Sequence, residues 1–401
     1  MKHRGTKQYK LKHLVNNRLS QVAFSTLKSF SPLLVNFTLS VIVIRYYSEG
    51  LWGSLSELLL VINLLLLITS WSNKEYLLRK FSTTPGLIKE AFWNVFFTRL
   101  MILLPIIFIY ILCYKTNSGI LLPGLLILLL RFVNNSFEPI YTYFKKFELT
   151  FTADLIALSI AVGLILYLQN KLDLQWLCWV LAIIEITKLL WYVTFLKKNI
   201  FYPKKIIIEF EFFLQSAPFF AVGIISFMQS KSDQFLINCF LSDAEKAIYQ
   251  VLTNLLILLI AVPSYIAGPF IKNVYRMKQQ TLDTITRKLF LLGCIVAPIG
   301  VTGVSIILRY IYEIELAAVV YFLSILYVLP VFYFSLKLYG MFKERKDKKV
   351  AVIIFVAFFI STSSGFFLIP KYGISGGLCA SILGQLGIVT LVFFSELQGK
   401  K

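Results

Sequence analysis

Six basic residues, Lys28, Arg99, Arg131, Lys188, Lys231 and Lys337, stand inside stretches otherwise apolar enough to cross a bilayer. Four acidic ones, Glu57, Asp154, Glu185 and Asp233, stand there with them. Charge in hydrocarbon is costly enough to mark function by default. A cavity lined by Arg131, Lys231, Lys28 and Arg99 would neutralise a phosphate or pyrophosphate, whose charges cannot enter hydrocarbon unpaired. At about 1.5 Å per residue, Arg131 is roughly 16 Å along its helix from the outer end, and Lys231 and Asp233 are at a comparable depth if their helix starts near Pro218. Lys28 and Arg99 are roughly 10 Å from the cytoplasmic end by the same measure, within reach of snorkelling. In the competing arrangement Lys28, Arg99 and Lys337 extend to the headgroups, Lys231 neutralises Asp233, and no cationic cavity exists.

Glu185 and Lys188 are spaced i,i+3, which predicts an ion pair within one helix. Asp233, Glu57 and Asp154 are the candidates for coupling to a proton or a sodium ion, because a buried carboxylate with a raised pKa can carry a proton. Glu57 and Asp154 could equally lie near helix ends facing water. The two histidines, His3 and His13, are both in the basic N-terminal segment, so neither a metal site nor Ser-His catalysis is expected inside the membrane. Cys113, Cys178, Cys239, Cys294 and Cys379 occur singly without CxxC spacing and read as small packing residues. No cofactor is expected.

The elements that must position these charges are helices. A bilayer core of about 30 Å takes roughly 20 apolar residues per span. Candidates lie near 22–44, 51–72, 92–114, 120–139, 151–168 and 174–196, then near 214–241, 248–271, 289–308, 316–340, 350–369 and 374–395. A hydrophobic fraction of 58% and a mean hydropathy of +0.77 exceed what one soluble core absorbs. Of the 40 Lys and Arg, 28 lie in the N-terminal segment, the C-terminus and the connections after even-numbered spans. The other connections carry one each: Arg45, Lys115, Lys171, Lys246, Arg309 and Lys371. By the positive-inside rule both termini are cytoplasmic.

The net charge of +20 therefore follows a membrane face and does not form one patch, which argues against nucleic acid. Residues 1–21 are a basic cytoplasmic tail suited to anionic lipid, with no h-region or cleavage site of a secretory signal. The remaining organisation is a six-helix bundle over 22–200, a cytoplasmic linker over 201–213, a second bundle over 214–395 and a tail over 396–401. Trp52 and Trp176 fall at outer span ends and Trp71, Trp93 and Trp191 at or near inner ones, as interfacial belts require. Outer connections such as Arg45 to Gly50 and Ser242 to Ala247 are too short for an ectodomain. Their few carboxylates, Glu49, Asp173, Asp243, Glu245, Glu313 and Glu315, make an enzyme the poorer expectation.

Internal symmetry favours movement of a cargo. Aligning Ser48 with Ser242 matches Glu49 with Asp243 and Gly53 with Ala247, each an outward turn after the first helix of a six-helix half. The halves would then be parallel repeats about an axis along the membrane normal.

Three segments carry a family resemblance. Leu368 to Ser381, with Pro370, Gly373, Gly376 and Gly377, is similar to the turn between the last two helices of polysaccharide exporters in the multidrug/oligosaccharidyl-lipid/polysaccharide superfamily. Asp233 to Ile237, with Leu241 to Asp243 and Ala247 to Tyr249, resembles a second segment of that family, and Arg45 to Gly53 a third. The match is to Wzx-type flippases of O-antigen and capsule repeat units. Its motifs are architectural, since Pro370 and the glycines set a tight turn and close helix packing.

The resemblance implies an all-α transporter of twelve spans, resembling MATE transporters in architecture, in a bacterial cytoplasmic membrane. Its cargo would be an undecaprenyl-pyrophosphate-linked oligosaccharide destined for O-antigen, lipopolysaccharide, capsule or a related polymer, with a polymerase and other assembly proteins as partners. The alternatives are a MATE-type drug or cation antiporter and a non-transport scaffold for polysaccharide assembly. Single cysteines at Ser242 and at Lys146 in a cysteine-less chain are expected to react with an impermeant maleimide from the outer and the cytoplasmic side respectively. Labelling of both from one side would overturn the topology.

Overall fold

The structure is a computed structural model describing residue 24, residues 26–114, 118–168, 171–200, 207–267, 277, 279–344 and 346–398. The expected basic tail over 1–21 lies outside the described residues, as do 201–206 of the linker and 399–401 of the C-terminal tail. The described residues are helical almost throughout, as hydrocarbon requires of a chain whose backbone groups must be satisfied internally. Contacts divide the chain into two units, Met1–Leu39 with Val61–Phe220, and Ser40–Leu60 with Ala221–Lys401. The outer ends of the first two spans thus group with the second half of the chain.

The first unit holds the inner part of α1 (Thr26–Tyr46) and the inner part of α2 (Glu49–Ser70). Next come the short α3 (Asn73–Thr83) and α4 (Ile88–Tyr114). Then follow α5 (Ser118–Ser136), the six-residue α6 (Glu138–Tyr143), α7 (Phe147–Leu168) and α8 (Leu174–Ile200). Between α2 and α3, Trp71 and Ser72 adopt left-handed φ values of 43° and 52°, a conformation that costs L-residues roughly 1–2 kcal/mol each. Aromatic packing holds Trp71 there. Its ring stacks on Phe220 at 3.9 Å, meets Phe213 edge-on at 5.6 Å, and donates its indole N–H to the Phe213 carbonyl at 3.2 Å. The break turns 73–83 into a separate amphipathic helix where the sequence reading placed only a connection. Tyr76, Leu77 and Phe81 on its inner face join Phe92, Phe137, Ile140, Tyr192 and Phe212 in a buried aromatic core.

The second unit adds α9 (Glu211–Phe240), α10 (Asp243–Ala267), α11 (Gln279–Ile306) with a π turn (Ile307–Tyr312), and α12 (Ala318–Lys343). The first residues of α9, through Phe220, belong to the first unit. The final run, Asp347–Gln398, is two helices joined at Gly373 (φ 55°, ψ −129°), here α13 and α14. The 48 residues of Lys348–Ser395 in this run would stretch about 72 Å as one straight helix, more than twice a bilayer core. Helix contacts show that the chain folds back. A Cβ built on Gly365 would lie 3.4 Å from that of Ala380, and one on Gly384 would lie 2.9 Å from that of Ser361. As numbers fall along α13 they rise along α14, the register of an antiparallel pair. The expected twelve spans are present among the described residues.

Only glycine adopts the Gly373 backbone without strain, and only glycine fits at 376, where a Cβ would stand 2.3 Å from the Leu368 carbonyl oxygen. Trp52, expected in an interfacial belt, is instead 1% exposed, because the first turn of α2 packs on α10. Gly373→Ala is expected to cost about 1–2 kcal/mol by placing a Cβ at a positive φ. Gly163→Ala, in a helix with open space around it, should be neutral or stabilise by up to about 1 kcal/mol. Thermal unfolding in detergent checks the contrast.

Candidate functional site

In the first unit α8 lies against α5 and α7, and the charges on all three are matched across helices. Arg131 on α5 donates from Nε to Glu185 at 2.9 Å and from Nη1 to Asn63 at 3.2 Å. Asn134, one turn on, donates to the other Glu185 oxygen at 2.9 Å. Lys188 on α8 reaches Asp154 on α7 at 2.7 Å, and the Ser31 hydroxyl of α1 donates to the second oxygen of that carboxylate. The expected Glu185 to Lys188 pair does not form. One turn apart on α8, the two side chains face different neighbouring helices, and a partner there satisfies each in better geometry than an i,i+3 contact.

Lys28 on α1 and Lys74 on α3 share the carboxylate of Glu138, at 3.1 and 3.0 Å, and the Lys28 ammonium lies 4.9 Å from the Tyr141 ring centre. Arg99 on α4 is 1% exposed. It donates to the Thr69 carbonyl at 2.8 Å and to the Ser136 hydroxyl at 3.0 Å, with its guanidinium 4.6 Å from the centre of the Phe132 ring. Thr69 is in the last turn of α2, whose carbonyls have no helical partner. Arg99 therefore caps the helix end created by the Trp71 break instead of snorkelling.

In the second unit Asp233 on α9 is 3% exposed and accepts from the Tyr249 hydroxyl of α10 at 2.5 Å and the Ser381 hydroxyl of α14 at 2.9 Å. Lys231 does not pair with it. Two residues along a helix rotate the side chain by about 200°, which keeps the two from direct contact while Lys231 and Asp233 still attract through space. Lys231 is partly buried and has no ion pair or hydrogen bond among the described residues. Lys337 on α12 pairs with Asp283 at 2.5 Å.

The turn pair singled out by internal similarity is in direct contact. Glu57 on α2 receives the Lys246 ammonium of α10 at 2.7 Å, which also touches Asp243 at 2.9 Å. Ser54 donates to Asp243 at 3.1 Å, Ser56 donates to Gln250, and Arg45 and Glu313 form an ion pair. A Cβ at Gly53 would lie 1.8 Å from the Asp243 carbonyl oxygen. Glu57 is thus neutralised at the outer ends of two parallel helices. The sequence marked these positions through the repeat. It carried no signal for Asn63, Asn134, Ser31, Tyr249 or Ser381, the polar partners that complete the networks.

No protein-family model matches the chain, and no curated protein matches it by sequence. Among solved structures, lipid II flippase MurJ in an inward closed conformation is similar over 94% of this chain and 87% of its own, with a TM-score of 0.72 at 13% identity. The eukaryotic MATE transporter AtDTX14 is similar over 94% and 92%, with a TM-score of 0.51 and again 13% identity. The chain shares with these two proteins the fold of a polytopic bundle of membrane-spanning helices.

Removing Lys188 would leave the buried Asp154 carboxylate without its counterion. Lys188→Met is expected to cost about 2–3 kcal/mol. Lys188→Met combined with Asp154→Asn should recover part of that loss, a non-additivity read from detergent unfolding midpoints of the full cycle.

Proposed function

We propose that the chain is a flippase that moves undecaprenyl-pyrophosphate-linked oligosaccharide repeat units from the cytoplasmic to the outer leaflet of a bacterial cytoplasmic membrane by alternating access. The observation that carries this reading is the inventory of in-span charge. Lys28, Arg131, Lys188 and Lys337 each hold a carboxylate and Arg99 caps a helix end. Lys231 is the in-span cation without a partner among the described residues, and its ammonium is free to pair with a pyrophosphate oxygen. Similarity to a lipid II flippase over nearly the whole chain supports a lipid-linked cargo.

Arg131 keeps part of its guanidinium accessible, with 22% of the side chain exposed, and serves as a second, weaker anion contact. Lys28, shared with Lys74 on Glu138, adds positive potential to the first unit. Flipping rearranges non-covalent contacts and requires no covalent chemistry. Asp233 is the carboxylate for a coupling proton or sodium ion, since its direct partners are two hydroxyls and the Gln234 N–H and no cation is in hydrogen-bonding contact with it. A polymerase and other assembly proteins would take up the exported unit.

That same feature of Asp233 favours a second reading. A buried carboxylate without a basic partner suits a drug or organic-cation antiporter of the MATE kind, with which the fold is also shared.

The deciding experiment follows lipid-linked oligosaccharide in inverted vesicles from cells lacking the protein, with wild type, Lys231→Ala and Asp233→Asn restored separately. Wild type should clear the cytoplasmic pool, and Lys231→Ala should slow clearance roughly tenfold or more at equal membrane abundance, the loss of one charge-assisted contact. A normal distribution of lipid-linked sugar without the protein would refute the cargo. Full activity of Lys231→Ala and Asp233→Asn together would favour the scaffold.

A further inference from the structure

At the cytoplasmic edge of the first unit, α3 and the chain entering α9 enclose a cleft of about 1010 Å³. Its floor is pinned by Glu209. That carboxylate accepts from Lys80 at 2.5 Å, from Asn94 at 3.0 Å and from Tyr76 at 3.3 Å. The backbone N–H groups of Ile207 and Glu209 donate to Asn94 and Thr98, both at 2.9 Å. The walls carry two charges that this network does not use. Arg79 is exposed on α3 and has no ion pair among the described residues, and Glu211, exposed on the first turn of α9, receives only a 3.4 Å contact from Gln215.

Beside them the wall is apolar. Ile208, Phe210 and Phe219 line the cleft at 44%, 63% and 43% exposure, and Leu214, on the same stretch, is 79% exposed. So contiguous an apolar surface beside charged groups matches the boundary between headgroups and acyl chains.

We propose that this cleft binds a phospholipid carrying a primary ammonium, of the phosphatidylethanolamine class, from the cytoplasmic leaflet. The phosphodiester meets the Arg79 guanidinium, whose planar fork suits two phosphate oxygens. The ammonium meets Glu211, and an acyl chain lies over Ile208, Phe210 and Phe219. The acid decides between lipid classes. A purely anionic headgroup, or the pyrophosphate end of a lipid-linked sugar, would place negative charge against Glu211. A choline headgroup would offer it no N–H to donate. Lys231 is not among the residues lining the cleft, and the proposal does not rest on the transport reading.

The test is native mass spectrometry of the full-length, delipidated protein titrated with phosphatidylethanolamine, phosphatidylglycerol and phosphatidylcholine. Phosphatidylethanolamine is expected to bind best, by roughly fivefold or more over each other lipid. Arg79→Gln should weaken all the phospholipids, and Glu211→Gln should abolish the preference for ethanolamine over choline. Phe210→Ala should weaken binding without changing headgroup preference. Lys231→Ala, which changes no residue lining the cleft, should bind phosphatidylethanolamine as wild type does. Equal binding of the three lipids, a preference for phosphatidylglycerol, or a preference untouched by both Arg79→Gln and Glu211→Gln would overturn the proposal.

Discussion

Hydrocarbon offers no water to a charged side chain or an open backbone group, so every such group in this chain needs a partner supplied by another helix or by the lipid. That constraint organises both units. In the first, it draws Arg131 to Glu185, Lys188 to Asp154 and Lys28 to Glu138 across helix boundaries. Each ion pair ties two spans that apolar packing alone would leave free to slide, because side chains and lipid tails are comparably apolar. Asparagine and serine side chains at Asn134 and Ser31 complete the carboxylates' hydrogen bonding, and so reduce the desolvation cost that would otherwise make buried pairs unfavourable.

The same accounting applies to the backbone. Where α2 ends at Ser70, its last carbonyls lose their helical donors, and Arg99 reaches from α4 to satisfy Thr69. The left-handed Trp71 and Ser72 that follow are held by the Trp71 ring against Phe213 and Phe220. A helix end, a buried arginine and an aromatic stack therefore form one joint, and that joint sets α3 apart as an amphipathic helix and one wall of the cytoplasmic cleft. At the outer side the close contact of Gly53 with the Asp243 carbonyl brings two helix starts together, and Lys246 is shared between Glu57 and Asp243.

Against this background of matched charges, Lys231 and Asp233 differ. They are two residues apart yet face different surroundings, one without a partner among the described residues and the other held by two hydroxyls. The fold shared with a lipid II flippase and a MATE transporter at 13% identity shows how little sequence this architecture requires. Apolar spans of the right number and small residues at close approaches suffice for it.

Span number and the positions of the two tight turns were legible in the residues themselves. Hydropathy and the alternation of Lys and Arg depend only on the local chain and its side of the membrane. The Pro370 to Gly377 segment marks the reversal that Gly373 makes. The partners of the in-span charges were not legible. Glu185 and Lys188 look like a pair when only helical spacing is considered, and Lys231 looks like the counterion of Asp233. Neither pair makes a direct contact, although each stays coupled through space, because which face of a helix meets which neighbour depends on rotation about its axis, and packing against residues far away in sequence sets that rotation. The sequence by itself determined that this protein is a bundle of membrane-spanning helices with charges inside them. Only the tertiary structure decided which of those charges are neutralised and which remain available, because pairing is a property of distance in space and not of spacing along the chain.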